Sequence, residues 1–523
     1  MPSFDKGLIE QIISAITPEK SPVLIEGQRI KVHAAVSRFA VLYERIRNAV
    51  DYKDDHLLRR AAIQRILKRQ LILESDPQSV AEQLIRELIG ARYLANGELP
   101  ETVYAEVALL IKKYLSVEST RAGSKRQFIW LRSILAVEIE EALVDATSDK
   151  ALVTFLYERI VERIKVTGVN VSDADVRMQA YLACYRTLLK VEDNVLAFKL
   201  LRAYVPEWLR ATDWLDYPRP VAERLVEAEQ RIKASLVYPL ALKFQRTVKP
   251  WAVALIVLRD VLTEKNVQVC ALIEKPEALR REVARLSERH YNAAKTRLRR
   301  GAMRAIIYLF LTKMILALVL EIPLEHIWYK EVALPALLVN LLFPPCLMFL
   351  VALFIRVPDK ANTLRLQTMV EGLLSSEPLP LKEIRISKQR SLLGGVLFGL
   401  IYMATFAVVF GTVGFVLMVL KFTWVSAAIF IFFLCLVSFF AFRLRQNSRE
   451  MVIVESKESL RSVFIDLLSI PILRAGHWLS RSISRLNVFL FFFDFLFEAP
   501  FKLFLTVLEE WLAYLQEKKE ELQ

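Results

Sequence analysis

Apolar side chains recur every three to four residues through most of the first 300 positions, and beyond that they merge into unbroken runs. Leu57, Ala61, Ile63, Ile66 and Leu67 make one such stripe; Val80, Leu84, Ile85, Leu88 and Ile89 make the next, after Pro77. A spacing near 3.6 predicts packed amphipathic helices. Two more are expected at 101–116 and 126–146. Val166-Thr-Gly-Val-Asn-Val-Ser-Asp reads as a turn, with Ser172 or Asp173 capping a helix that runs to about Lys190. Pro206, Trp208, Trp214, Pro218 and Pro220 then interrupt the period, as a packed corner does. Helices follow at 221–246, 250–264 and 277–304. The run from Trp251 to Leu258 is too short to span a bilayer and reads as core. The expectation is an all-α fold with helical subdomains over 1–146 and 147–304, the second ending in a basic juxtamembrane helix.

From Ala305 the pattern changes. Four apolar stretches, about 305–322, 333–355, 392–418 and 423–442, each approach the roughly 20 residues a membrane helix needs. They predict a four-helix transmembrane domain over 305–445, with 356–391 as an internal loop. The region 446–523 differs again. Asp494, Glu498, Lys502, Thr506, Glu509 and Glu510 step along a Phe-rich stretch at about every fourth position. That stride gathers the charges on one helical face, and burying them in hydrocarbon costs roughly 2.5–3.5 kcal/mol each near the centre. A pair of amphipathic helices, interfacial or re-entrant, is therefore expected there, with a fifth span over 487–508 as the alternative.

Composition supports helices. There are only 14 Gly and 20 Pro among 523 residues, too little turn chemistry for sandwiches or barrels. The hydrophobic share of 54% is too high for bulk disorder. Four scattered cysteines (Cys184, Cys270, Cys346, Cys435) with no CxxC spacing argue against a disulfide framework or zinc ribbon.

Charge sets the topology. The formal net charge is +14. Arg297, Arg299, Arg300 and Arg304 follow one another with no acidic residue between them, just before the first apolar run. Such a run suits anionic lipid headgroups; a nucleic-acid site would interleave aromatics with the basic stripe. The 356–391 loop carries Arg356, Lys360, Arg365, Lys382, Arg385, Lys388 and Arg390, whereas 321–331 is acidic, with Glu321, Glu325 and Glu331 against Lys330. Arg443, Arg445 and Arg449 follow the fourth run. The positive-inside rule puts the N-terminal region, the 356–391 loop and the C-terminal region in the cytoplasm, with the plasma membrane as the default.

Candidate chemistry is sparse. Lys313 is an ammonium midway along an apolar helix, and such groups face a partner or water. Glu321 lies two turns on; Asp494 and Glu498 are further possible partners. Asn340, near the Pro344-Pro345 break, resembles the polar positions of interrupted helices that line transport sites. Asp51–His56 and Asp173-Ala-Asp175 read better as helix starts than as metal sites. No P-loop, H-E-x-x-H, G-x-S-x-G or dinucleotide glycine motif occurs, and no cofactor is implied. The pattern predicts a membrane-anchored interaction or scaffold protein, with a protein partner or a second copy of itself. A small transporter or channel using Lys313 is the alternative, and a membrane-embedded lipid-modifying enzyme a third reading.

Overall fold

The computed structural model describes residues 5–16, 29–32, 55–120, 125–168, 171–264, 275–329, 334–353, 360–385, 392–448, 452–453 and 460–485. These residues are mostly helical and include one two-stranded sheet. The N-terminal module comprises α1 (Lys6–Ile16), α2 (Asp55–Leu73), α3 (Pro77–Gly90), α4 (Thr102–Thr120), α5 (Lys125–Leu143) and α6 (Thr147–Ile160). It continues through β1 (Ile164–Thr167), α7 (Asp173–Cys184), α8 (Asp193–Tyr204), α9 (Arg219–Leu236) and α10 (Ala241–Glu264).

Local chemistry explains the boundaries. Asp76 accepts from the Ser79 N–H at 2.9 Å and Pro77 opens α3, where a missing N–H costs nothing. Ser172 caps α7 by accepting from the Asp175 N–H at 3.1 Å. The Pro–Trp region forms two short 3-10 turns that bury Trp208 completely and set it 5.5 Å from Trp214. One expected boundary moves. The break falls at 237–240, beside Pro239, and Pro250 sits inside α10. Trp251, Ala252, Ala254, Leu255 and Leu258 of that helix are buried, so packing outweighs the one hydrogen bond that Pro250 removes.

Buried apolar side chains from Ile9 through Leu143, Leu152 and Leu262 to Ile384 form one continuous core, on both sides of position 146. Within it α5 carries three carboxylates that tie other helices down. Glu138 accepts from Lys113 (2.5 Å), the Tyr114 hydroxyl (2.8 Å) and the Trp208 indole (3.1 Å). Glu140 pairs with Arg59 and Arg60, and Glu141 with Lys150 and Lys199. Burial pushes the Lys113 amine below its ordinary value and the Tyr114 phenol above.

The segment between the second and third apolar runs belongs to the same core. It forms α14 (Lys360–Leu374) and β2 (Lys382–Arg385), and β2 pairs in parallel with β1, Ile164 opposite Lys382 and Thr167 opposite Arg385. Leu366, Met369, Val370, Leu373, Leu374, Leu379 and Ile384 are buried against the module. Arg159 donates to the carbonyls of Gly372, Ser375 and Glu377, and Arg280 pairs with Glu371. Asn362 donates to the Tyr291 hydroxyl and accepts from the Ile453 N–H, both at 2.7 Å.

The basic helix and the first apolar run are a single element, α11 (Pro276–Leu316), with no break at 304. Its 41 residues extend about 60 Å. A π-helical turn (Ala317–Glu321) and α12 (Ile322–Tyr329) continue it. Then come α13 (Leu334–Leu353), α15 (Leu392–Val419), α16 (Trp424–Ser448) and α17 (Leu460–Arg485). Among the described residues, two helices are long and apolar enough to cross a membrane: Val396–Val419 within α15 and Trp424–Arg443 within α16. They coincide with the third and fourth expected spans. The first expected span is the end of α11 with the turn beyond it, and the apolar helix of the second, Ala336–Leu350, falls short of the same length. Only 6% of the α15 span is buried. So much exposed apolar surface calls for a bilayer or a partner to cover it.

α11 and α13 run antiparallel, since Ile306 packs at Met348 while Glu321 meets Asn340. α16 lies between their levels, Val437 and Ala441 near Ile306 and Ser426 near Glu321. α17 packs along α16, where Gly476 comes so close that a Cβ would stand 2.1 Å from the Cys435 carbonyl oxygen.

Candidate functional site

The polar cluster between α11, α13 and α16 is built from residues that helix geometry brings to one level. Lys313 lies nine residues past Arg304, about 14 Å along the axis. Its long side chain climbs toward Glu321, and Nζ stands 3.5 Å from Oε2. The π turn before Glu321 widens the helix there, a distortion common at functional positions. Asn340 enters from α13 and donates through Nδ2 to Glu321 Oε1 at 2.5 Å and to the Ser426 carbonyl at 3.3 Å. The Ser426 hydroxyl donates to the same Oε1.

One turn beyond, Thr423 opens α16. Its hydroxyl accepts from the Ser426 N–H at 3.2 Å and donates to Glu325 Oε1 at 2.6 Å. Lys313, Glu321, Glu325, Asn340 and Ser426 have no exposed surface. The Lys313 ammonium also lies 4.7 Å from the centroid of the Phe433 ring, a cation–π contact that a dry interior strengthens. Glu325 Oε2 and Asn340 Oδ1 are buried and have no hydrogen-bond partner among the described residues.

Chemically this is a cross-brace. A buried ion pair gains little net stability, because desolvation offsets the Coulomb attraction, but it fixes which partners meet. Glu321 belongs to the α11–α13 hairpin and Ser426 to the α15–α16 hairpin, so their hydrogen bond ties the two together. Among the described residues no group of three His, Cys, Asp or Glu side chains is placed to hold a metal ion.

The structure thus brings Lys313, Glu321 and Asn340 into one contact group. Asp494 and Glu498 lie outside the described residues. Arg297, Arg299, Arg300 and Arg304 are exposed on α11. Sequence reasoning missed Ser426, Thr423 and Phe433 as members of the cluster. A Thr-x-x-Ser step at the start of an apolar run is a capping signal that could have flagged the first two.

Outside the cluster, an open cleft of about 700 Å³ in the module is lined by Gln64, Arg186, Lys190, Glu192, Asn194 and Gln245, among others. Its charges are mixed, with Arg186 already paired to Asp193 at 2.8 Å. No known protein family, no curated protein and no solved structure matches this chain.

Proposed function

We propose that the chain is a multi-pass integral membrane protein whose helical module works as an interaction platform held in fixed orientation at the cytoplasmic face. One observation carries this reading: the chain returns to the module twice. After α11 and α13 it enters the module core through 360–385, and after α15 and α16 it returns at Ile453, whose N–H reaches Asn362. Two hairpins that leave and return on one side fit four crossings with the loop charges on the cytoplasmic side. A module merely tethered to a membrane needs no such second and third attachment.

The two hairpins need not be equally long. The short second helix and the α11 end fit a bilayer by local thinning or by tilt of their neighbours. Gly476 against mid-α16 supports the re-entrant form of the C-terminal region over an interfacial one, since it sets α17 at the depth of an apolar span.

The enclosed Lys313 cluster supports a bracing role over transport, because its bonds run from one hairpin to the other and Lys313, Glu321, Glu325, Asn340 and Ser426 have no exposed surface. The test is native mass spectrometry of the full-length protein, extracted in mild detergent with its lipids and partners. A stoichiometric second protein, or a defined homo-oligomer joined through the module, is expected. Ion flux in liposomes that disappears on Lys313→Met, while the variant stays folded, would overturn the platform reading in favour of transport.

A further inference from the structure

The outer face of α11 continues from charge to hydrocarbon without a gap. Arg297, Arg300 and Arg304 are spaced three and four residues apart, and Ile307, Leu311 and Ile315 carry the same spacing onward. At about 100° per residue, all six fall within about 80° of one another around the helix axis. The three arginines are exposed, and Ile307, Leu311 and Ile315 are 53%, 52% and 63% exposed. Ala302, Ile306 and Lys313, on the opposite side, face the bundle.

No acidic residue occurs between Glu288 and Glu321, and none of the three guanidiniums has an ion-pair partner among the described residues. From Arg304 to Ile315 the rise is about 16 Å. That is roughly the depth of one leaflet of a 30 Å hydrocarbon core.

We propose that this stripe is a binding site for one anionic phospholipid of the cytoplasmic leaflet, its phosphate held by Arg297, Arg300 and Arg304 and its acyl chains laid along Ile307, Leu311 and Ile315. The chemistry matches at both ends. Guanidinium forks suit phosphate oxygens, and three of them in a row favour an anionic headgroup over a zwitterionic one. The apolar half supplies what a free phosphate lacks. Arg299 points away from the stripe by at least 80° on the same projection, so it is a control of equal charge.

The inference rests on the membrane reading above, and the experiment separates the two. Full-length protein in mild detergent is titrated with phosphatidylglycerol or phosphatidylcholine of identical chains, and bound lipid is counted by native mass spectrometry. Phosphatidylglycerol is expected to bind in preference, and inorganic phosphate is expected not to displace it. Arg300→Gln and Arg304→Gln should each weaken phosphatidylglycerol about fivefold, the effect of one basic residue at an anionic surface. Arg299→Gln should leave it unchanged, and phosphatidylcholine uptake should not move in any variant. Equal losses for Arg299→Gln and Arg304→Gln, or equal uptake of both lipids, would overturn the stripe alone. A chain that stays monodisperse without detergent and takes up neither lipid would overturn the membrane reading itself.

Discussion

Lys313→Met removes the ammonium from the buried cluster and leaves its volume nearly unchanged. Glu321 then keeps two donors on Oε1, from Asn340 and Ser426, but loses the Lys313 contact on Oε2. Stripping one partner from a buried pair costs about 3–5 kcal/mol. With two of three contacts kept, the lower end of that range is expected, about 3 kcal/mol. Glu321→Leu should be worse, because three donors lose their acceptor together and the Lys313 charge retains only the Phe433 ring. The double variant Lys313→Met/Glu321→Gln is neutral and keeps an acceptor for Asn340 and Ser426. It should lie within about 1 kcal/mol of the wild type, above both single variants. Reversible denaturation of the full chain in mixed micelles measures all three, together with the Glu321→Gln single variant that closes the double-mutant cycle. A Lys313→Met cost below about 1 kcal/mol, or a double variant no more stable than the singles, would refute the brace.

Gly476→Leu should unseat α17. Even a Cβ would land 2.7 Å from that of Phe439, and the contact is with backbone, which cannot swing aside. Overpacking of this kind costs about 1–3 kcal/mol or more; a cysteine cross-link between α16 and α17 that still forms at the wild-type rate would count against the close approach. Arg159→Ala should leave the Gly372, Ser375 and Glu377 carbonyls without their common donor, so amide exchange across 372–385 should rise at least tenfold while α4 and α5 stay protected. Acid should weaken the module in a defined window. Hydrogen bonds from Ser79 hold the Asp76 carboxyl below its ordinary 3.8, and those from Thr147 do the same for Asp145. Depressed folded values mean that this stability is complete above about pH 4 and lost as pH falls through the lower folded values. Asp76→Asn/Asp145→Asn should flatten that part of the melting profile; an unchanged slope would show that other groups govern it.

Periodicity reveals a helix readily when one face is buried, as for α3, where Val80, Leu84, Ile85, Leu88 and Ile89 are at most 2% exposed. It reveals less where tertiary contacts override local rules. Pro250 reads as a stop but lies mid-helix, because Trp251 and its neighbours are held in the core. The 360–385 segment reads as a charged loop. Its charges face solvent or pair singly, as Glu371 does with Arg280, while Leu366, Val370, Leu373 and Leu374 supply the buried face. Its parallel pairing with β1 joins residues more than 200 positions apart, a distance at which no local pattern carries information. Lys313 was conspicuous because charge is rare in an apolar run; Ser426 was not, since a lone hydroxyl can satisfy itself on the preceding turn of its own helix.

The three junctions of module and bundle have a mechanical consequence. A body fixed through one rod swings about it; a body through which the chain passes three times cannot swing without straining the contacts among those passages. α11, the 360–385 segment and Ile453 are three such passages, and Asn362 joins them by bonding both the Tyr291 hydroxyl of α11 and the Ile453 N–H. A load on the module is therefore delivered to the bundle as sliding between its two hairpins. At the far end, about 25 Å beyond Arg304, the Glu321–Ser426 hydrogen bond is a rivet across that sliding plane. Stiffness of the whole molecule under shear then depends on a few polar atoms at the end remotest from where the force is applied.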